Sequence, residues 1–155
     1  MDDKKLFETG EQLYSKRSSL MNLWQEIAEN FYPERADFTS SQSLGVCFAD
    51  NLTTSYPLLV RRDLGNYFSF MLRPTEKAWF HMVIDNDDDT DLDAKSWLEM
   101  AAKIQRRAMY DKSAQFIRAT KEGDHDFASF GQCAISVELN KARSGLLYRC
   151  WHLRD

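Results

Sequence analysis

The sequence predicts an α+β protein that is mainly α, with long amphipathic helices followed by a C-terminal β-hairpin. Three observations support this class. Apolar residues recur at steps of three and four in several stretches before residue 130, residues 131–139 alternate between apolar and polar, and residues 140–145 have turn chemistry. A chain of 155 residues has the usual size of one domain, so we expect a single core.

The first predicted element is one long amphipathic helix over residues 5–31. Its apolar positions follow helical spacing, and they are Leu6, Leu13, Leu20, Trp24, Ile27 and Phe31. The helix ends at Tyr32 because a residue before proline is pushed out of the helical region. Residues 34–49 are polar and rich in Ser and Thr, so we expect an exposed connection of irregular structure. Connections of this length usually bind something or rearrange, although an insertion without a role is equally allowed.

A second helix is predicted from Ser55, the expected N-cap, to the Arg73-Pro74 step. Residues 79–84 (WFHMVI) form a short aromatic and β-branched run, which is typical of a strand. A third helix is marked by apolar residues at helical spacing, namely Trp97, Ala101, Ile104 and Ala108. After a break over residues 111–113, a fourth helix is expected from Ala114 towards Phe127.

The C-terminal hairpin is predicted from strands over residues 131–139 and 146–153. The first is expected to be half-buried, with Cys133, Ile135, Val137 and Leu139 on one face. A two-stranded hairpin is marginal unless a third strand or a helix layer covers it. Because the sequence ends at Asp155, we expect an incomplete fold that continues in a longer chain. A hairpin covered by the third and fourth helices is the alternative.

The composition limits the classes of protein. The net charge of −4 and the pI of about 5.4 argue against a free-standing nucleic-acid binder, which normally carries a clustered basic excess. Cys47, Cys133 and Cys150 form no CxxC pair, and their odd number does not make a closed disulfide framework. No apolar run approaches the length of a membrane-spanning helix, and no signal peptide follows Met1. We therefore expect reduced thiols and a protein made in the cytoplasm.

The acidic run over residues 85–93 invites comparison with a calcium-binding EF-hand loop. Oxygen-bearing side chains stand at alternate positions, but Thr90 replaces the turn glycine and Ser96 replaces the bidentate glutamate. The preferred interpretation is an acidic turn before the N-terminus of the third helix, where negative charge is stabilising. No metal or cofactor is predicted.

Histidines and cysteines give no further catalytic site. Asp124-His125-Asp126 invites comparison with a proton shuttle or a metal ligand. Neighbouring residues on a helix point in different directions, and no second His or Cys lies at ligand spacing nearby, so we expect a solvated helix end. His81 and His152 are assigned to strands as core-edge or hairpin-face residues. Cys133 and Cys150 are expected to lie opposite one another across the hairpin and to stay reduced.

The sequence contains no phosphate-binding glycine loop and no paired acids at nuclease spacing, so no enzyme is predicted. Arginines are the main candidates for contacts with a neighbouring subunit or with DNA, and they are Arg61, Arg62, Arg73, Arg106 and Arg107. A small regulatory DNA-binding module that uses Arg61, Arg62 and Arg73 is the alternative function. Ordinary salt bridges are the simpler role for the same side chains.

Several blocks in order resemble the portal, or head-to-tail connector, proteins of short-tailed bacteriophages. They are residues 24–38 (WQEIAENFYPERADF), 50–52 (DNL), 56–68 (YPLLVRRDLGNYF), 71–74 (MLRP), 79–80 (WF), 127–135 (FASFGQCAI) and 148–154 (YRCWHLR). The likeness spans nearly the whole chain. It rests on the order of the blocks, since none of them is a catalytic fingerprint.

The resemblance implies a structural subunit of a ring, usually of twelve copies, at one capsid vertex. Such a ring forms the channel through which double-stranded DNA is packaged and ejected, and it joins the head to the tail. Implied partners are further copies, the terminase, tail adaptors, and scaffolding and capsid proteins. Family members are several times longer, so residues 1–155 would be an N-terminal, wing-region segment. The implied location is the virion, after assembly in the cytoplasm of the bacterial host. No tunnel or terminase contact is carried over to a residue here.

Overall fold

A computed structural model describes residues 3–41, 43, 45, 52–74, 77–84 and 91–154. Its helices are α1 (Asp3–Lys16), α2 (Ser18–Phe31), α3 (Tyr56–Leu72), α4 (Leu92–Met109) and α5 (Phe116–Phe130), and its strands are β1 (Ala134–Leu139) and β2 (Leu146–Trp151). Two 3₁₀ turns, Pro33–Arg35 and Lys112–Ala114, follow α2 and α4, respectively. The predicted class is confirmed: the protein is mainly helical α+β and has a C-terminal hairpin.

The first predicted helix is two helices that meet at Arg17. The Arg17 N–H donates to the Tyr14 carbonyl, three residues back, at 3.1 Å, so the chain tightens there. The guanidinium of Arg17 donates to the Leu153 carbonyl at 2.5 Å, near the opposite end of the sequence. One continuous helix over residues 5–31 is therefore wrong. The backbone of Arg17 keeps helical angles, with φ −76° and ψ −11°, which is why the apolar periodicity runs on across the break.

The main core is aromatic and lies between α2, α5 and the segment after the first 3₁₀ turn. Its buried members are Trp24, Ala28, Tyr32, Ala36, Phe38 and Phe130. The Phe130 ring stands edge-on to Phe38 at 5.1 Å and to Trp24 at 6.2 Å, which are favourable aromatic geometries. Residues 34–49 were predicted to be an exposed connection, but Ala36 and Phe38 are buried in this core.

Gln25 explains how that segment is held. Its side-chain oxygen accepts from the Phe38 N–H at 2.8 Å and from the Thr39 N–H at 3.2 Å, while its amide nitrogen donates to the Ala36 carbonyl at 3.1 Å. A buried amide that is bonded on both sides fixes a segment without regular structure, because leaving any of these groups unpaired is costly. Polar composition alone did not reveal this.

Helix α3 packs on α5 through a small residue. Gly65 is the buried residue of α3, and a Cβ placed on it would lie 2.1 Å from Nδ1 of His125. The predicted helix bounds agree with the structure, with Ser55 at the N-cap and Arg73 at the C-cap. The cap bond differs, since Thr54 Oγ1 rather than the Ser55 side chain accepts from the Tyr56 N–H, at 3.3 Å.

Residues 79–84 form no strand, which corrects the prediction. Trp79 stacks parallel to Phe116 with ring centroids 6.3 Å apart and donates from Nε1 to the Tyr110 hydroxyl at 3.1 Å. The aromatic run is thus explained by packing in a second cluster, which Tyr148 of β2 completes at 5.0 Å from Phe116. His81 is exposed rather than at the edge of a core.

The hairpin forms as predicted, with antiparallel β1 and β2 as its two strands. Ile135 lies opposite Cys150, so Cys133 is diagonal to Cys150 instead of opposite it, and both of these thiols are free. The predicted apolar face points at α5, where Ile135 meets Gly123. Beyond that contact Val137 and Leu139 are exposed, so the strand is less buried than expected.

Candidate functional site

Two aspartates of α5 lie inside the protein. Asp126 is 1% exposed and Asp124 is 7% exposed. Asp126 falls on the helix face of Ala119, Gly123 and Phe130, at spacings of three, four and seven residues, so its burial follows from its position on the face. Residues 124–126 were predicted to be a solvated helix end, and this prediction is wrong. The position of Asp126 on an otherwise apolar face is the sequence signal that could have found it.

Each buried aspartate pairs with an arginine from a different part of the chain. Arg73, the C-cap of α3, makes an ion pair and a hydrogen bond with Asp124. Arg35, in the first 3₁₀ turn, holds Asp126 with Nε at 3.3 Å from Oδ1. The two pairs link α5 to α3 and to the segment after α2. Removing either partner would leave an uncompensated charge in the interior.

The environment of Asp126 also affects the chemistry of Cys150. Burial raises the pKa of Asp126, and the charge of Arg35 opposes part of that shift. Burial and the neighbouring Asp126 carboxylate raise the pKa of Cys150 to about 12, and its thiol donates to Asp126 Oδ2 at 3.7 Å. A thiol with so high a pKa is a poor nucleophile at neutral pH. This arrangement stabilises the fold and does not activate a nucleophile.

A second ionic cluster joins the C-terminal segment to the aromatic core. His152 Nε2 lies 2.9 Å from Asp37 Oδ1, and Arg154 Nη1 lies 3.3 Å from Asp37 Oδ2. The His152 ring also packs on Phe38 at 4.9 Å. His152 follows β2 directly instead of lying within a strand, and its partner Asp37 was not singled out from the sequence.

The five candidate arginines are distributed over several different environments. Arg73 is committed to Asp124, with only 16% of its side chain exposed. Arg61 lies over the Tyr32 ring at 3.8 Å and donates to the Phe31 carbonyl at 3.3 Å. Arg62 is largely exposed beside Asp63, at 3.6 Å. Arg106 lies over the Tyr110 ring at 5.9 Å, and Arg107, on the same helix, is exposed. Arg106 and Arg107 line one surface pocket together with Lys103, whereas Arg73 is held in a buried ion pair.

The larger surface feature is apolar. Helix α1 buries none of its residues, and α4 buries only Met109 among the described residues. Their exposed large side chains are Leu6, Phe7, Leu13 and Tyr14 on α1, and Leu92, Trp97, Met100 and Ile104 on α4. Helix α3 adds a further exposed group, including Tyr67, Phe70 and Met71. Amphipathic helices with an uncovered apolar face mark contact sites for other surfaces.

Metal and membrane sites receive no support from the residues that the structure describes. Among them no group of acidic, histidine or cysteine side chains could hold a metal ion. Most of the acidic run, residues 85–90, lies outside the described part of the chain. Asp91 is the N-cap of α4 and accepts from the Leu92 N–H at 2.7 Å, in agreement with the helix-start interpretation. Within the same described residues, none of the helices has the length and apolar character needed to cross a bilayer.

These features define a class of protein that is mainly helical, has buried ion pairs and exposes the apolar faces of several helices. A family model described as bacteriophage head to tail connecting protein matches residues 3–155, and the chain therefore belongs to that family. It is a phage head-to-tail connector protein, which makes it a component of the virion. No curated protein and no solved structure matches the sequence.

Proposed function

We propose that this chain is the N-terminal, wing-region part of a portal subunit, which assembles with identical subunits into a ring at one capsid vertex. The observation that carries the proposal is the uncovered apolar surface of α1, α3 and α4. Family membership supplies the connector role, and the uncovered surface is what a subunit needs in order to join its neighbours. The ring would form the channel for DNA packaging and ejection.

The accessible surface area of the chain is consistent with a subunit whose surface is partly covered by other protein in the assembled particle. Its accessible area is 11,963 Å². A folded monomer of 18.1 kDa is expected to expose roughly 8,100 Å², from the scaling of surface with mass. The chain therefore exposes more surface than expected for its mass, and the exposed apolar side chains of α1, α3 and α4 contribute to the difference. In the proposed ring, this surface would be covered by other copies of the subunit or by further parts of a longer subunit.

The expected partners follow from the connector role. They are further copies of the subunit, the terminase, tail adaptors, scaffolding and capsid proteins, and double-stranded DNA passing through the channel without sequence preference. Assembly in the cytoplasm of the bacterial host belongs to the same proposal. The net charge of −4 favours a channel that does not grip DNA strongly, because phosphate binding requires a basic excess. We expect no enzymatic activity and no cofactor.

The alternative function, a regulatory DNA-binding module, is less well supported, because two of its three arginines make contacts within the chain. Arg73 is buried against Asp124, and Arg61 is engaged with Tyr32 and the Phe31 carbonyl. Arg62 is the member of the predicted trio that remains largely exposed. A gel-shift titration at low salt distinguishes the two functions. Tight, sequence-selective binding by the isolated protein would favour the module.

Electron microscopy of the purified gene product that contains this chain tests the proposal. We expect closed rings with an axial channel, and native mass spectrometry should give one subunit number. Heads assembled without the product should contain no packaged DNA. A product that stays monomeric, together with heads that package DNA normally in its absence, would contradict the proposed function.

A further inference from the structure

The C-terminal hairpin has two strand edges that no other described segment pairs with, because β1 and β2 form a two-stranded sheet. Five of the six residues of β1 are exposed, including Val137 at 54% and Leu139 at 61%. An exposed strand edge with apolar side chains is a template for another strand, and native proteins usually cover or charge such an edge. The hairpin therefore needs a further strand.

The hydrogen-bond pattern identifies the backbone groups that face outwards. The Asn140 N–H donates to the Gly145 carbonyl at 2.9 Å, so these two residues form a hydrogen-bonded pair. Hydrogen-bonded and non-hydrogen-bonded pairs alternate along an antiparallel ladder, so every second residue directs its N–H and C=O away from the partner strand. From the register, the outward-facing residues are Ile135, Val137 and Leu139 in β1, and Leu146, Tyr148 and Cys150 in β2.

One face of the hairpin lies against α5. Tyr148 packs on Phe116 with ring centroids 5.0 Å apart, and the Cys150 thiol donates to Asp126 at 3.7 Å. A helix about 10 Å wide and two strands about 4.8 Å apart occupy a similar width. Hairpins that are each covered by one helix can therefore lie side by side in a continuous sheet, with room for every helix.

A groove runs along the outer edge of β2. All residues from Leu147 to Trp151 line it, whereas no residue of β1 does, so it lies on the side of β2 away from β1. Its other wall is the face of α5 that carries Gln115, Arg118 and Glu122. An extended segment that enters this groove meets the free N–H and C=O groups of β2, which is the chemistry of β-strand addition.

We propose that β1 of one copy occupies the groove of the neighbouring copy and pairs with β2 as a third, antiparallel strand. In a ring of many copies, neighbours keep nearly the same orientation. Strand β1 of the neighbour therefore runs opposite to β2, as it does within one chain. The inference rests on the proposed ring and names one of its contacts.

The charged residues on the other face of the hairpin select the register. Arg149 and Glu138 are exposed, and within one chain Arg149 lies opposite Ser136 instead. Across the copies, Arg149 lies opposite Glu138, where opposite charges attract. The hydrogen-bonded pairs are then Tyr148 with Leu139 and Cys150 with Val137. This register also keeps apolar side chains together on the face that α5 covers.

The contact is heterologous, since each copy gives β1 to one neighbour and accepts β1 from the other. A heterologous contact closes into a ring when its rotation permits, whereas pairing of β2 with β2 would be isologous and would stop at a dimer. A second copy is the favoured occupant because the two free edges have outward-facing backbone groups, continuous apolar faces and opposite charges.

Cysteine cross-linking in the full gene product tests the partner and the register. Chains with Arg149→Cys and chains with Glu138→Cys carry different tags, are co-expressed and are then oxidised, and we expect a disulfide-linked dimer with both tags. Lys141→Cys in place of Glu138→Cys is the matched control. It should link poorly, because residue 141 lies three residues, about 10 Å, further along the strand. The unsubstituted chain, with its native cysteines, sets the background.

Proline substitution provides an independent measurement. Val137→Pro removes an N–H that faces outwards, so the hairpin of the single subunit should form while assembly weakens at least several-fold. Ser136→Pro, one residue earlier, removes an N–H that bonds to β2, so it should lower the unfolding midpoint of the subunit itself. Native mass spectrometry measures assembly, and circular dichroism measures the midpoint.

The outcomes separate this contact from the proposed function. Rings that lack the link between residues 149 and 138, or that assemble normally with Val137→Pro, would overturn the contact and leave the proposed function intact. Open chains of subunits that carry the link would support the contact and contradict the closed ring. Links between two Arg149→Cys chains alone, or a product that never associates, would overturn the inference.

Discussion

The aromatic core around Trp24 and the outlying helices α1 and α4 are built from the same kind of sequence pattern, yet they end in opposite environments. Trp24 is 3% exposed, whereas Trp97 of α4 is 67% exposed. In the core, aromatic rings such as those of Trp24 and Phe38 pack on one another, and Gln25 accepts a hydrogen bond from the Phe38 backbone N–H. On α4 the same spacing of apolar residues faces outwards. Periodicity thus specifies that a face will be covered, but not whether the covering comes from the same chain.

The largest expected effect separates the two tryptophans. Trp24→Ala should lower the free energy of unfolding by about 3–5 kcal/mol, because it removes a large ring from a packed core. Trp97→Ala should change it by less than about 0.5 kcal/mol, because the exposed ring makes few contacts within the chain. Urea denaturation of both variants measures the difference. Equal losses would show that α4 packs on its own core.

A somewhat smaller loss is expected when the buried ion pair is broken. Arg35→Met leaves Asp126 charged and unpaired inside the protein, and should cost about 3 kcal/mol, at the lower end of the range for buried pairs because Arg35 is partly exposed. Combining it with Asp126→Leu should recover part of the loss. Arg62→Met is the matched exposed control, with an expected change near zero. If Arg35→Met behaves like the control, the pair contributes nothing to stability.

A loss of about 1–3 kcal/mol is expected for Gly65→Ala, the range for overpacking a tight contact. The added methyl would meet the His125 ring, so α3 has to move away from α5. Gly10→Ala is the control on the outlying region, where open space surrounds the glycine, and it should stabilise α1 slightly through helix propensity. Thermal unfolding followed by circular dichroism measures both variants. A stable Gly65→Ala variant would mean that the contact adapts without cost.

The smallest effect concerns pH. Burial, followed by the charges of Arg61 and Lys121, lowers the pKa of His125 below its ordinary value of 6.5. The unfolded chain then binds this proton more readily, so the stability contributed by neutral His125 is present above pH 6.5 and is lost as the pH falls towards the lowered pKa. Between pH 7 and pH 5 the unfolding midpoint should fall more for the unsubstituted chain than for His125→Gln. His81→Gln, at an exposed histidine, should leave the slope unchanged.

Asp126 contributes to the pH dependence of stability with the opposite sign. Burial raises its pKa above the ordinary 3.8, so the folded state takes up this proton first, and the contribution favours folding below that value and is lost as the pH rises through the raised pKa. The two groups therefore change the stability in opposite directions as the pH falls. A slope that persists in His125→Gln between pH 7 and pH 5 would point to groups other than His125.

The elements that could be predicted are those with a local signal. Helices α3, α4 and α5 and the hairpin follow from apolar spacing, the Ser55 N-cap, the Arg73-Pro74 step and the turn over residues 140–145. The aromatic run at Trp79 predicts a strand because aromatic residues favour strands. A strand also needs the edge of another strand to pair with. The Trp79 ring instead stacks on Phe116. The break at Arg17 has no signal in the sequence, because the backbone there keeps helical angles and the spacing of apolar residues continues across it.

The candidate sites were harder to predict because they depend on distant partners. Asp124 and Asp126 looked like solvent-exposed acids since their arginines, Arg73 and Arg35, stand far away in sequence. The sequence marks Arg73 as a candidate contact with a neighbouring subunit or DNA, and no pattern singles out Arg35. An aspartate on a helix face shared with Ala119 and Phe130 implies a buried cation somewhere, and which cation it is becomes known only from the fold.

The Arg17 junction has a mechanical consequence. Its guanidinium bonds the carbonyls of Leu153 and Arg154 at the same point where α1 joins α2. A force applied to α1 is therefore transmitted through these two hydrogen bonds to the segment after β2. Arg17 therefore couples the motion of α1 to that of residues 153–154.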